Sequence, residues 1–217
     1  MSPHETTILW DFDNTLFQTK AFWRAKLFPA YEPMGITSET VEEAFKEATS
    51  VVHDYFVPDA ILSALQKRTD RGALELTPTL ERIVYTELGR SFFFPHALET
   101  VLSAKQKGYA HYLLSYGDNA FKQKWFASLG LLEYFSSEEI LITNKKKPLV
   151  LGHLTLRNSV IVVNDVLTET REVLDALTLR GHTSVAYQFT VEPSVLEEKT
   201  YDGVNYFTDF LTLRDTL

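Results

Sequence analysis

The chain has 217 residues, of which 45% are apolar and 23% charged, and its net charge is −8. These values fit one globular domain with a modest insertion, and they exclude a disordered, collagen-like or coiled-coil chain. There is no cysteine, which excludes disulfide bonds, thiolate metal sites and a cysteine nucleophile. The negative charge disfavours nucleic acid or an anionic membrane as the main partner.

The sequence shows no targeting segment. Its longest apolar run is four residues, Val160 to Val163, whereas a membrane-spanning helix needs about 20. Residues 1–7 contain neither a basic patch nor an apolar stretch, so we expect no secretory signal and a cytoplasmic location.

The N-terminal half begins with a strand signal and continues with helix signals. A short apolar run, Thr7 to Trp10, breaks into carboxylates, which predicts a buried strand that ends near Asp11. Strand signals are then scarce, and Pro58 and Thr77-Pro78 each predict the start of a helix. Apolar residues at helical spacing predict a further helix before these two: they are Val41, Ala44, Phe45, Ala48, Val52 and Tyr55.

From Pro95 onward, strand and helix signals alternate. Helices are predicted at 95–107, 119–129 and 168–180. Strands are predicted at 110–114, 139–142, 160–163 and 184–187. Such alternation predicts a doubly wound α/β fold, in which a mainly parallel sheet has helices on both faces. We therefore expect a core of residues 1–17 and 93–217, interrupted by a small all-helical domain at 18–92.

Polar residues follow several of the predicted strands, and ligands of a doubly wound sheet bind beyond the carboxyl ends of its strands. Candidate residues at this edge are Asp11, Asp13, Thr15, Ser115, Lys145, Lys146, Lys147, Asn164, Asp165 and Glu169. Carboxylates, a hydroxyl and an amine are thus expected to converge there.

Asp11 and Asp13 are the first candidates for a metal site. Two carboxylates so close repel each other unless a cation lies between them or one holds a proton. Asp165 could complete a set of oxygen ligands of the kind that Mg²⁺ prefers. The alternative is that the residues after Asp11 form only a turn and a helix cap.

Each remaining candidate also has a purely structural interpretation. Ser115 could help to bind an anion, or it could belong to an ordinary junction where Asn119 caps the next helix. A lysine run is usually solvated, but one lysine could reach inward, and we choose Lys147 because Pro148 fixes the backbone beside it. Asp165 follows the most apolar strand and needs a partner or a cation there, unless it caps a helix.

The histidines do not form a metal-binding pattern. No two of them have the spacing of metal ligands, so we interpret them as structural. They are His4, His53, His96, His111, His153 and His182.

In their order along nearly the whole chain, these motifs resemble the haloacid dehalogenase-like (HAD) hydrolase superfamily. The segment Asp11-Phe12-Asp13-Asn14-Thr15 resembles its first motif, DxDxT after an apolar strand. Ser115 and Lys147 lie where its second and third motifs place them, although Lys145 or Lys146 could take the latter place. The insertion at 18–92 is similar to the helical cap of members that act on small substrates.

The fourth motif of this family is an acidic pair, which Asp165 and Glu169 resemble. The chain departs from the usual pattern at two positions. Asn164 stands where the family often has Gly or Asp, and Glu169 stands where it often has Asp.

The resemblance implies a Mg²⁺-dependent phosphatase that hydrolyses a small soluble phosphate monoester through an aspartyl-phosphate on Asp11. Asp13 would serve as general acid and base, with Thr15 orienting it, while Ser115 and Lys147 would hold phosphoryl oxygens. Haloacid-cleaving members lack an acid at the position of Asp13, which favours phosphoryl transfer here.

The resemblance also implies a metal site, with Mg²⁺ held by Asp11, the backbone carbonyl of Asp13 and Asp165. Asn164 and Glu169 would support it. Two alternatives stay open, namely a phosphomutase acting on a sugar phosphate and an inactive binding protein with the same fold.

The aromatic residues that open the insertion do not identify a substrate. They could stack on a substrate ring, but aromatic residues at helical spacing more often form a core. This set comprises Phe17, Phe22, Trp23, Phe28 and Tyr31. Arg24 could bind a second anionic group or face solvent, and the sequence leaves the oligomeric state open.

Overall fold

The computed structural model describes residues 1–51, 56–190 and 203–217. Val52 and Tyr55 of a predicted helix, and His53, lie outside the described residues. The chain divides into two compact units. The first comprises 1–17, 93–115 and 133–217, and the second comprises 18–92 and 116–132. The division into a core domain and a cap domain stays a prediction.

Within the described residues, six strands form one sheet. They are β1 (Thr6–Trp10), β2 (Ala110–Tyr116), β3 (Ile140–Thr143), β4 (Ser159–Asn164), β5 (Thr183–Phe189) and β6 (Val204–Phe207). The order across the sheet is β3-β2-β1-β4-β5-β6. β1 pairs in parallel with both β2 and β4, and β5 pairs in parallel with both β4 and β6. The predicted doubly wound, mainly parallel sheet is confirmed, and its order reverses between β1 and β4.

The two central strands end side by side. Trp10 of β1 is in register with Val163 of β4, and the amide of Asp11 donates to the carbonyl of Val163 at 2.9 Å. All five residues of β1 are buried, as are the last five of β4. Residues that follow these strands therefore leave the sheet as neighbours at the point where its order reverses.

The helices are α1 (Thr19–Phe22), α2 (Ser38–Val51), α3 (Pro58–Arg68), α4 (Ala73–Val84), α5 (Ala97–Gln106), α6 (Asn119–Ser128), α7 (Leu167–Leu179) and α8 (Phe210–Thr216). The helices α5, α6 and α7 lie where the predicted alternation of strands and helices places them, while α1 to α4 follow one another between β1 and β2. α7 packs against β4 and β5. Its Val173 and Leu177 join Val160 and Val162 of β4 in a buried apolar cluster. Across residues 1–51, 56–190 and 203–217, no helix is long and apolar enough to cross a membrane.

The predicted start of α4 at Thr77-Pro78 is wrong by one turn. The helix begins at Ala73, and Pro78 lies inside it. Residues 73–76 are good helix formers, and a proline near the amino end removes only one intrahelical hydrogen bond. The carbonyl that loses this bond belongs to Leu74, which is exposed and can be hydrated.

The aromatic residues at the start of the insertion are buried, as the core interpretation predicts. Phe17, in the first unit, stacks on Phe12 with ring centroids 5.1 Å apart. In the second unit, the ring of Trp23 stacks on Phe56 at 4.5 Å and on Trp125 at 5.1 Å. Phe22, Phe28 and Tyr31 are also buried, whereas Arg24 is exposed.

His111 of β2 is a buried titratable residue away from the strand ends. It is 2% exposed, and within the described residues neither ring nitrogen has a hydrogen-bond partner. The nearest acid is Glu139, whose Oε1 lies 3.6 Å from Nε2. Burial lowers the pKa of His111, although the Glu139 carboxylate acts in the opposite direction.

We expect His111 to make the protein less stable in mild acid. Its pKa is lowered on folding from an ordinary value of 6.5. The stability it contributes is therefore complete above about pH 6.5 and is lost as the pH falls toward the folded-state pKa.

Urea unfolding at pH 7.5 and 5.5 should show a smaller loss of unfolding free energy in His111→Leu than in wild type. His153→Leu, at an exposed position, should behave like wild type. Equal losses in all three proteins would contradict the assignment.

Candidate active site

Asp11 is the buried centre of the candidate site. It follows β1 directly, and it is 7% exposed. Its Oδ1 accepts a hydrogen bond from Lys147 Nζ at 2.5 Å, and its Oδ2 accepts one from Thr15 Oγ1 at 2.9 Å. Burial raises the pKa of Asp11, and the nearby acids Glu169 and Asp13 add to this against the effect of Lys147. Because both of its oxygens are held, the Asp11 carboxylate meets an approaching group in one defined orientation.

Lys147 is the inward-facing member of the lysine run. It is 3% exposed, while Lys145 and Lys146 are exposed and Lys146 pairs with Glu172 at the surface. Besides Asp11, Lys147 Nζ contacts Glu169 Oε2 at 2.7 Å. Burial acts to lower the pKa of Lys147, but the two carboxylates outweigh it and raise the pKa above its usual value. The amine is therefore charged.

Thr15 brings Asp11 and Asp165 together. Its hydroxyl lies 2.9 Å from Asp11 Oδ2 and 3.2 Å from Asp165 Oδ1. The carbonyl of Phe12 accepts the amides of residues 15–17, and this tight turn folds Thr15 back over the end of β1. The Thr15 hydroxyl is thus directed at these two acids, and its implied role in orienting Asp13 stays a prediction.

Asp13 and Ser115 form a second pair at this edge. Ser115, near the end of β2, is fully buried, and its hydroxyl donates to Asp13 Oδ2 at 3.4 Å. Asp13 is half-buried. The alternative interpretation of the Ser115 region predicts Asn119 as the cap of the next helix. The cap of α6 is instead Asp118, one residue earlier, whose side chain accepts from the amide of Phe121 at 2.7 Å.

Glu169 is the second acid that contacts Lys147, and Asn164 contacts Glu169 in turn. Asn164 ends β4 and is 1% exposed. Its Nδ2 donates to Glu169 Oε2 at 2.7 Å, and its Oδ1 accepts from the amide of Val166 at 3.1 Å. The interpretation of Asp165 as a helix cap is wrong, because the N-cap residue of α7 is Val166 and Asp165 lies one residue before it. The contact between Asn164 and Glu169 could not be predicted from the residue pattern, since it depends on side-chain direction.

A divalent cation fits part of the predicted ligand set. In the described part of the chain, no three His, Cys, Asp or Glu side chains are arranged to hold a metal. The side chains of Asp11 and Asp165 meet at Thr15, while that of Asp13 contacts Ser115 instead. Two carboxylates suffice for Mg²⁺, which keeps several waters and takes substrate oxygens. Burial and repulsion from Asp11 raise the pKa of Asp165 to about 7. Because Lys147 pairs with Asp11 and Glu169, a cation beside Asp165 would supply this carboxylate with a counter-charge of its own.

Comparison with known proteins identifies the fold. The sequence matches no family model and no curated protein. Among solved structures, it is similar to a haloacid dehalogenase-like hydrolase from Burkholderia xenovorans LB400, with a TM-score of 0.76 and 20% identity over 98% of this chain and 99% of that one. The magnesium-bound HAD-hydrolase YfnB from Bacillus subtilis gives 0.63 and 15% over 98% of each chain.

A structure described as a dehalogenase is also similar, with a TM-score of 0.61 and 15% identity over 98% of this chain and 96% of that one. The chain therefore has the α/β fold of the HAD-like hydrolases. The similar proteins include a dehalogenase, so the fold by itself does not select the bond that is cleaved.

Replacing Lys147 should destabilise the protein strongly. Lys147→Met leaves Asp11 and Glu169 without their buried counter-charge, and breaking a buried ion pair costs about 3–5 kcal/mol. Lys146→Met removes only a surface pair and should change little. Guanidinium unfolding at pH 8 measures both effects, and similar unfolding free energies for the two variants would show that Lys147 is not buried between these acids.

Proposed function

We propose that this chain is a Mg²⁺-dependent phosphatase that hydrolyses a small soluble phosphate monoester. The observation that carries the proposal is the buried Asp11 carboxylate, held between Lys147 and Thr15 at the point where the strand order reverses. Ligands of doubly wound folds bind at this point. The similarity to hydrolases of the same fold supports the proposal.

Asp11 is the proposed nucleophile. One of its oxygens attacks phosphorus and forms an aspartyl-phosphate, while the bond to the alcohol of the ester breaks. The hydrogen bonds from Lys147 and Thr15 keep the carboxylate from rotating, which favours a near-attack geometry. Water then hydrolyses the aspartyl-phosphate and releases inorganic phosphate.

Lys147 and Ser115 are the proposed phosphoryl-binding groups. An ammonium has three N–H groups, and Lys147 uses two of them on Asp11 and Glu169. The third N–H and the Ser115 hydroxyl can donate to the equatorial oxygens, where charge gathers in the transition state.

Asp13 is the proposed general acid and base. An alkoxide leaving group needs a proton, and the attacking water must lose one, whereas a halide leaves without a proton. A second acid two residues after the nucleophile therefore favours phosphate ester hydrolysis over dehalogenation. Its contact with Ser115 Oγ supports this role, because it places the acid beside a proposed phosphoryl-binding group.

Asp11, Asp165 and the backbone carbonyl of Asp13 are the proposed Mg²⁺ ligands. A bound Mg²⁺ offsets the repulsion between an anionic nucleophile and an anionic phosphate. Thr15 holds the two carboxylates at one place before any cation arrives, which reduces the reorganisation that metal binding requires.

Removing either aspartate of the first motif should abolish phosphate release. Asp11→Asn removes the nucleophile and should lower kcat on p-nitrophenyl phosphate by about 10³-fold or more. Asp13→Asn removes proton transfer and should cost about 10²–10⁴-fold. Asp175→Asn, the same exchange at an exposed position of α7, should retain wild-type activity.

Two results would contradict the phosphatase. One is equal inactivity of wild type and both variants across a broad panel of phosphate esters. The other is release of halide from a 2-haloacid by the wild type without any release of phosphate. Transfer of phosphate back to a sugar, seen as a rearranged sugar phosphate in the products, would indicate a phosphomutase.

Magnesium should stabilise the wild type through Asp165. At a free Mg²⁺ concentration of 100 times Kd, the gain is about 2.7 kcal/mol, which corresponds to a rise in Tm of about 5–10 °C for a chain of this size. Asp165→Asn should not show this rise, because it removes a ligand.

Without divalent ions at pH 8, the Asp165→Asn variant should melt at or above the wild-type Tm, because it removes the repulsion with Asp11. Scanning calorimetry with EDTA or MgCl₂ measures both, and an equal Mg²⁺ response in the two proteins would remove Asp165 from the ligand set.

A further inference from the structure

Two departures from the family pattern contact each other in the structure. Asn164 and Glu169 are the two residues of the fourth-motif region whose types depart from the usual pattern. Asn164 Nδ2 donates to Glu169 Oε2 at 2.7 Å. A donor of this kind is absent from the side chain of Gly, and ionised Asp would place a second carboxylate against Glu169. The contact thus needs a donor at residue 164 and an acceptor at residue 169.

Asn164 is held in a single orientation. It lies at the end of β4 with 1% of its surface exposed, so the position of its backbone is fixed by the sheet. Its Oδ1 accepts from the amide of Val166 at 3.1 Å, which requires the oxygen to point there. The amide nitrogen consequently points at Glu169, and a buried amide with both ends bonded does not rotate freely.

Glu169 receives two donors on one oxygen. Asn164 Nδ2 and Lys147 Nζ both lie 2.7 Å from Oε2. The Glu169 side chain is 27% exposed, so without the amide it could rotate toward water and away from the lysine. The amide opposes this rotation and keeps Oε2 where Lys147 needs its second acceptor.

Lys147 connects this arrangement to Asp11, because its Nζ lies 2.5 Å from Asp11 Oδ1. We infer that Asn164 is a positioning residue for the reaction: acting through Glu169, it holds the Lys147 ammonium beside the nucleophile and the phosphoryl group. This inference rests on the proposed phosphatase activity, and Asn164 itself touches neither substrate nor the reacting atoms.

A double-mutant cycle tests whether Asn164 acts through Glu169. Asn164→Ala and Glu169→Ala should each lower kcat by about 10–100-fold, the usual effect of losing a group that orients a reacting residue, with a smaller change in KM. If the effect passes through Glu169, the double variant should be no slower than Glu169→Ala alone. Asn205→Ala, the same exchange at an exposed position of β6, should leave kcat unchanged. Losses that multiply in the double variant would overturn the inference.

Asn164→Asp provides a variant that preserves shape. It retains an oxygen to accept from Val166 and so keeps the local backbone contact. It replaces the donor to Glu169 by an anion, so kcat should fall at least as far as in Asn164→Ala. Near-wild-type kcat in a folded Asn164→Asp would overturn the inference, even where Asn164→Ala fails to fold.

The lysine can also be observed without turnover. The ¹H–¹⁵N signal of the Lys147 ammonium in ¹⁵N-lysine-labelled protein reports its hydrogen bonds, with Lys147→Met assigning the signal. We expect Asn164→Asp and Glu169→Ala to shift or broaden this signal and Asn205→Ala to leave it in place. An unchanged signal in Asn164→Asp would overturn the inference. A shifted signal in a protein that hydrolyses no phosphate ester would instead overturn the proposed function and retain the link from Asn164 to Lys147.

Discussion

The ion pair between Lys147 and Asp11 is the interaction on which the candidate site depends. Both side chains are almost fully removed from water, with 4% and 8% of their surfaces exposed. Burying two charges is costly unless each finds a close partner and further hydrogen bonds. Glu169 and Thr15 supply those bonds. The arrangement is therefore stable only as a unit, and it places a nucleophilic carboxylate, a fixed cation and a hydroxyl at one point.

The sheet determines where this unit can form. β1 and β4 lie side by side in the middle of the sheet, and their connections leave in opposite directions, which opens a crevice at their carboxyl ends. Asp11 and Asp165 follow these two strands and meet there, although 153 residues separate them in the chain. The apolar sequences of both strands produce this arrangement, because strands buried on both faces occupy the centre of a parallel sheet.

Much of the fold could be predicted because its signals are local. The run from Val160 to Val163 and the glycines after the helices mark β4 and the ends of α5, α6 and α7. The last strand and helix, β6 and α8, were not predicted, since Asn205 interrupts the apolar residues of β6 and the seven residues of α8 are too short to show a helical period. The start of α4 was misplaced because proline is a strong signal for a first turn, whereas good helix formers before Pro78 extend the helix.

The sequence pattern predicts which residues lie at the candidate site, but it predicts the contacts between their side chains less well. Strand ends identify Asp11, Asp13, Ser115 and Asp165, because the edge of the sheet gathers whatever follows each strand. Side-chain direction is not encoded in such a pattern. The hydroxyl of Thr15 therefore turned out to face two acids other than Asp13.

The chain of contacts from Asn164 to Asp11 meets the solvent chiefly at Glu169. Its side chain is 27% exposed, against 4% for Lys147. An exposed carboxylate attracts dissolved cations, and this attraction weakens within about 10 Å at ordinary ionic strength. A dissolved cation attracted to the Glu169 carboxylate thus competes for it with the Lys147 ammonium, which is itself buried. The ionic strength of the solution therefore acts on the buried Lys147 ammonium through the partly exposed Glu169.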